Sequence, residues 1–174
     1  TLKMVLQLVE QHRAVLLWGN HEYWVCSESV RLTKLEQKKW FKTRGHELYD
    51  AYGGEQGLTD LLRDLQKVAR YSHWYYVENE MLCAHASRPS LGQKPASVLD
   101  KGCIWDKPSM GLHPLPTHFF PKLEYSVHGH TIFARPVVDL ENQGVVYLDL
   151  GAYRTGKFCV WDAETKQIIS MASD

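Results

Sequence analysis

The chain has 174 residues, of which 44% are hydrophobic and 23% charged, and its 20 basic residues match 20 acidic ones. That length suits one domain, 1–174, around one core. The balanced charge gives no reason to expect nucleic acid or an anionic membrane as partner, and no apolar run approaches the roughly 20 residues that span a bilayer.

Leu2, Val5, Leu6 and Val9 recur at helical spacing and predict an amphipathic helix over 2–12. The same stretch alternates apolar and polar groups, which is unlike a signal peptide. Ala14 to Trp18 (AVLLW) is a continuous apolar run and predicts a buried strand, ended by Gly19-Asn20-His21-Glu22. Residues 22–70 are polar and mostly helical in period, with breaks at Gly45 and Gly53-Gly54. Trp74–Val77 and Met81–Ala84 predict a hairpin around Glu78-Asn79-Glu80. Residues 87–123 hold six of the seven prolines and predict loop with one short helix. Tyr125–Val127, Val137-Val138, Val145–Leu148, Lys157–Trp161 and Gln167–Ser170 predict strands joined by tight turns. Mixed helix and strand followed by a run of strands implies a layered α/β protein with a large, partly antiparallel sheet system.

Cys26, Cys83, Cys103 and Cys159 are scattered without a CxxC pair, which argues against a zinc knuckle and a disulfide framework. Reduced thiols in a cytoplasmic protein are the default expectation. The nine histidines are more telling.

Three polar clusters each follow an apolar strand: Gly19-Asn20-His21-Glu22 after AVLLW, His85-Ala86-Ser87-Arg88 after MLCA, and His128-Gly129-His130-Thr131 after YSV. Ligand sites collect at the carboxyl ends of strands in α/β sheets. Three strands of one sheet would therefore deliver Asn20, His21, His85, His128 and His130 to one rim. Imidazole suits zinc, iron and manganese, and an asparagine carbonyl is a hard oxygen ligand. Such a set needs carboxylates to complete it. A metal pair lowers the pKa of bound water and clamps phosphoryl oxygens, and a remaining histidine can protonate the leaving group.

Each cluster also has a plain reading: a histidine after a strand is commonly a capped loop residue, and Gly19 and Gly129 suit tight turns. Gly45-His46-Glu47 echoes GNHE but follows no strand and is expected at the surface. A Cys83–His85 nucleophile pair lacks hydrogen-bonding geometry on one strand face, so Cys83 is expected to fill the core. The six Trp and nine Tyr have no accompanying basic stripe and are expected to pack rather than stack bases.

LLWGNHEYWV (16–25), YGGEQGLTDLL (52–62), LCAHASRPSLG (82–92), CIWDK (103–107), VHGHTIFARPVV (127–138) and VYLDLGAYRTGKFCVWDAE (146–164) resemble, in order, motifs of the metallophosphoesterase superfamily. The GNHE form favours its phosphoprotein-phosphatase branch, of bacterial and phage type; dinucleoside tetraphosphatases usually read GNHD there. The resemblance implies a layered metallophosphoesterase-like β-sandwich flanked by helices. It implies hydrolysis of phosphomonoesters, phosphoserine or phosphothreonine in proteins or small phosphoesters, by water activated on two divalent ions. Manganese is expected, with iron or zinc as alternatives. Asn20, His85 and His130 would be ligands of one metal, His21 the general acid, and His128 a supporting residue.

Lys107 stands where the family has an arginine that grips phosphate. Its point charge cannot make the bidentate fork, so Arg88 or Arg154 is a candidate to take over. Leu150 replaces the Thr of the usual DTG, and Ile132 the Pro of GHTP. The family's GDxHG and GDxxDRG motifs do not occur here, so the resemblance implies that this sequence begins inside the domain, without its first strands and half of its metal ligands. Two other readings follow: a non-catalytic scaffold or inactive fragment of the same fold, and a dinucleoside tetraphosphatase.

Overall fold

A computed structural model describes residues 2–29, 31–90 and 102–172. Residues 91–101 of the loop expected over 87–123, with Pro95, lie outside the described residues, as does the end of the LCAHASRPSLG motif. The chain falls into two compact units, 1–73 and 74–174. Helices and mixed sheets together make it an α/β protein. No helix among the described residues is long and apolar enough to cross a membrane.

The first unit is helical. It contains α1 (Leu2–Glu10), β1 (Leu16–Leu17), α2 (Asn20–Ser29), α3 (Lys34–Thr43), α4 (His46–Ala51), α5 (Leu58–Tyr71) and β2 (Ser72–His73). Leu61, Leu65 and Val68 recur on one face of α5 and are buried, each side chain contributing roughly 1.5–3 kcal/mol. Both α1 and α2 pack on α5, with Leu6 and Cys26 buried between them. Thr33 and Glu36 form a capping box that starts α3, satisfying backbone N–H groups the helix leaves over. Gly57 opens α5 where a Cβ would lie 1.6 Å from the Tyr52 carbonyl oxygen, so only glycine fits. The expected strand in AVLLW shrinks to β1, which pairs in parallel with β2.

The second unit contains β3 (Tyr75–Glu78), β4 (Met81–Ala84), α6 (Gly102–Trp105), a 3-10 turn (Pro108–Met110), β5 (Tyr125–His128), β6 (Val137–Asp139), β7 (Val145–Tyr147), α7 (Ala152–Thr155), β8 (Lys157–Asp162) and β9 (Gln167–Ala172). Its main sheet has the order β3-β4-β5-β7-β6. The inner strands β4, β5 and β7 run parallel, and the edges β3 and β6 are antiparallel. The predicted hairpin is present, with Asn79 in the left-handed region (φ 52°) at its two-residue turn.

Strand β5 is buried on both faces, as a central parallel strand should be. Tyr125 and Val127 meet Val146 on one face, where Trp161 and Ile168 of the β8–β9 hairpin pack against them. Ser126 and His128 occupy the other face. The expectation that three strands of one sheet carry the polar clusters needs correction. β4 and β5 are neighbours in the main sheet, whereas β1 hydrogen-bonds to β2 in the other unit.

Candidate metal and phosphate site

In the first unit Gly19 is the last residue before α2, Asn20 opens the helix, and His21 lies in its first turn. The Tyr23 amide bonds to the Gly19 carbonyl at 2.9 Å, and the Trp18 and Tyr23 rings meet edge-on with centroids 5.8 Å apart. The strand-to-helix turn is thus held from both sides. Asn20 is half-buried and His21 exposed.

In the second unit the parallel register Ala84↔His128 brings the carboxyl ends of β4 and β5 side by side. His85 follows the first end and His130 the second, and both rings are half-buried. Their centroids are 5.0 Å apart at an interplanar angle of 60°. Two imidazoles bound to one ion at about 2.1 Å per nitrogen place their centroids about 5 Å apart, so the pair fits two ligands of one metal. His130 has φ 62°, a left-handed conformation that costs a non-glycine residue roughly 1–2 kcal/mol. Backbone strain of this kind concentrates at functional sites. The Gly129 amide bonds to the His85 carbonyl at 2.9 Å and locks the two loops together. Among the described residues no three His, Cys, Asp or Glu side chains gather to hold an ion. Oxygen ligands would have to complete the pair, and an asparagine amide is the type that sequence reasoning selects.

His128 does a different job from His130. If β5 continued, the two would share a face, being two residues apart. The strand ends at His128, whose ring turns into the interior and is 2% exposed. Its Nδ1 lies 3.2 Å from the Ala84 carbonyl oxygen and its Nε2 2.8 Å from Ser126 Oγ. Burial, reinforced by the Arg88 charge, pushes its pKa down to about 3, so the ring is neutral at physiological pH.

Arg88, expected to grip phosphate, is instead spent inside the fold. It is 4% exposed. Its Nε donates to Ser126 Oγ at 2.8 Å, Nη1 to the His113 carbonyl at 3.0 Å, and Nη2 to the Gln143 and Gly144 carbonyls at 2.6 and 2.7 Å. Burial lowers its pKa to about 10, which still leaves it charged at neutral pH. A guanidinium so engaged cannot also fork a phosphate. Lys107 is exposed, between α6 and the 3-10 turn. The Ala86 amide bonds to the Cys103 carbonyl at 2.6 Å, tying the loop after His85 to the segment that carries Lys107. Arg154 lies in the one-turn α7 at the surface, its guanidinium over the Tyr153 ring.

Cys83 pairs with Val127 in the ladder, and burial, with Glu78 adding to it, pushes its thiol up to about 11. Burial disfavours the thiolate, which argues against the Cys–His reading. All four cysteines are free. Ser126 is the residue that sequence reasoning passed over. The only hint is one small hydroxyl inside the run Tyr125–His128.

No protein-family model matches this chain, and no curated protein matches it either.

Proposed function

We propose that the protein is a metal-dependent phosphoesterase of the phosphoprotein-phosphatase type, built on a metallophosphoesterase-like layered fold. The observation that carries the reading is the His85–His130 ring pair at the adjoining carboxyl ends of β4 and β5, with His130 held in a strained backbone conformation. GNHE and GHT, at the separation found here, supply the reaction class.

In this reading His85 and His130 would hold one ion through ring nitrogens, and Asn20, in the first unit, is a ligand by the resemblance alone. Two divalent ions, manganese first and iron or zinc otherwise, would supply an acidified water and neutralise phosphate charge. By the resemblance His21, exposed on the first turn of α2, would be the general acid that gives its proton to the leaving oxygen. Lys107 offers an exposed ammonium to phosphate as a point charge. The Gly129–His85 backbone bond joins the two loops that carry the histidines.

Manganese binding by equilibrium dialysis, together with hydrolysis of p-nitrophenyl phosphate and a phosphoserine peptide, tests this. Wild type is expected to bind Mn2+, and His85→Ala or His130→Ala to weaken binding more than tenfold. Wild-type affinity in both variants would sink the reading. Cleavage of diadenosine tetraphosphate in preference to the peptide would move the protein to the tetraphosphatase class.

A further inference from the structure

Arg88, Ser126 and His128 form a continuous buried chain of hydrogen bonds whose direction is forced. Arginine only donates and a carbonyl only accepts, so with a neutral ring the hydroxyl and the imidazole between them have one arrangement each. Arg88 Nε–H donates to Ser126 Oγ (2.8 Å), Ser126 O–H donates to His128 Nε2 (2.8 Å), and His128 Nδ1–H donates to the Ala84 carbonyl (3.2 Å). The chain ends on the residue immediately before His85. The His128 carbonyl in turn accepts from the Leu148 amide at 2.9 Å, which anchors it to the segment after β7.

We propose that Arg88, Ser126 and His128 are positioning residues that hold the His85 and His130 rings in one arrangement suited to a single ion, an inference that rests on the metal reading of that pair. The β4–β5 ladder stops at Ala84↔His128, just before both ligand loops begin. Beyond that point the His128 ring and the Gly129 amide continue the cross-link, one to Ala84 and one to His85. The polar chain is not explained by stability alone. On its opposite face β5 buries Tyr125 and Val127 in an apolar cluster, and apolar side chains commonly serve a core as well as buried charges do. Arg88, Ser126 and His128 are 4%, 0% and 2% exposed, so no solvent loosens the link. Residues behind a metal ligand commonly change affinity by about 10–100-fold when removed.

The test compares His128→Asn, whose amide still donates toward the Ala84 carbonyl, with His128→Leu, which cannot donate. In metal-free protein, NMR should show a ring–ring NOE between His85 and His130 in wild type and His128→Asn, and its loss in His128→Leu. Equilibrium dialysis with Mn2+ should place His128→Asn, which keeps the Ala84 bond but does not reach Ser126, between wild type and His128→Leu, itself about 10–100-fold weaker. A folded His128→Leu that keeps both the NOE and the affinity overturns the proposal. If His128→Leu does not fold, Ser126→Ala cuts the chain without touching the ring. A loss of roughly tenfold is expected there, and unchanged affinity is the overturning result. Wild type that shows the NOE but takes up no Mn2+ defeats the metal reading, while the NOE still decides the positioning role.

Discussion

Arg88 separates a structural arginine from a substrate-binding one, because the two roles predict opposite pairs of results. In Arg88→Met four acceptors lose the guanidinium. Two keep other bonds: the Gly144 carbonyl accepts from the Ser126 amide at 2.8 Å, and Ser126 Oγ still meets His128. The His113 and Gln143 carbonyls lose a charged donor, at roughly 1–3 kcal/mol apiece if they stay dry. Removing the buried charge returns part of that, because the site already pulls its pKa down to about 10. The net expected loss is about 3 kcal/mol, a large share of the 5–15 kcal/mol typical of a folded protein. With a urea slope of about 2 kcal/mol per molar, the midpoint should fall by about 1.5 M.

The assay is urea unfolding followed by tryptophan fluorescence, run beside a phosphate-binding titration. Arg88→Lys keeps the charge but not the fork, so it should recover only part of the loss. If both variants unfold within 0.5 kcal/mol of wild type (about 0.25 M in midpoint) while phosphate binding disappears, Arg88 is a substrate ligand and the structural assignment is wrong.

Two further outcomes follow from the same physics. Burial, with Glu22 adding to it, raises the Cys26 thiol to about 11 from its ordinary value of 9.0. Its folded pKa is the higher one, so its stability contribution is complete below pH 9 and is lost as pH rises between about 9 and 11. Cys26→Ala should flatten the fall in melting temperature over that window, and an identical slope in both proteins would refute the shift. His130→Gly removes both the ligand and the left-handed strain. Metal-free protein should unfold at the same or slightly higher urea, by up to about 1 kcal/mol, while Mn2+ binding falls more than tenfold. Destabilisation by more than 1 kcal/mol would mean that the His130 ring is there for packing.

Elements with a local cause were legible in the sequence. The helices between 22 and 70 show their period in the spacing of residues such as Leu61, Leu65 and Val68, and their ends in Gly45 and Gly53-Gly54. The β3–β4 hairpin was announced by its apolar runs around Asn79, and β5 and β7 by short apolar runs. β1 was misassigned to the main sheet because its partner, Ser72-His73, is a polar pair at the end of a helix with no strand signal. The one-turn α7 was missed as well. It is bracketed by Gly151 and Gly156, both left-handed, which read in sequence as ordinary turn glycines. The burial of Arg88 had no local signal. Its carbonyl partners lie 25, 55 and 56 residues away, and carbonyls carry no side-chain identity to read.

The two histidines of His128-Gly129-His130 show how one short string can serve two purposes. An extended backbone would have turned both rings to the same face, and both would have met the same surroundings. Ending β5 at His128 leaves that ring inside, where burial keeps it neutral and its two nitrogens take opposite hydrogen-bonding roles. Gly129 then uses its amide to hold the His85 carbonyl, and the left-handed turn at His130 brings the second ring beside His85. A chain that needed only a turn at position 130 would meet a φ of 62° at lower cost with glycine or asparagine. In the metal reading, histidine there accepts the strain because its ring is the ligand. A ring 5.0 Å from another imidazole, at the carboxyl ends of two parallel strands, is the geometry that the proposed ion site requires.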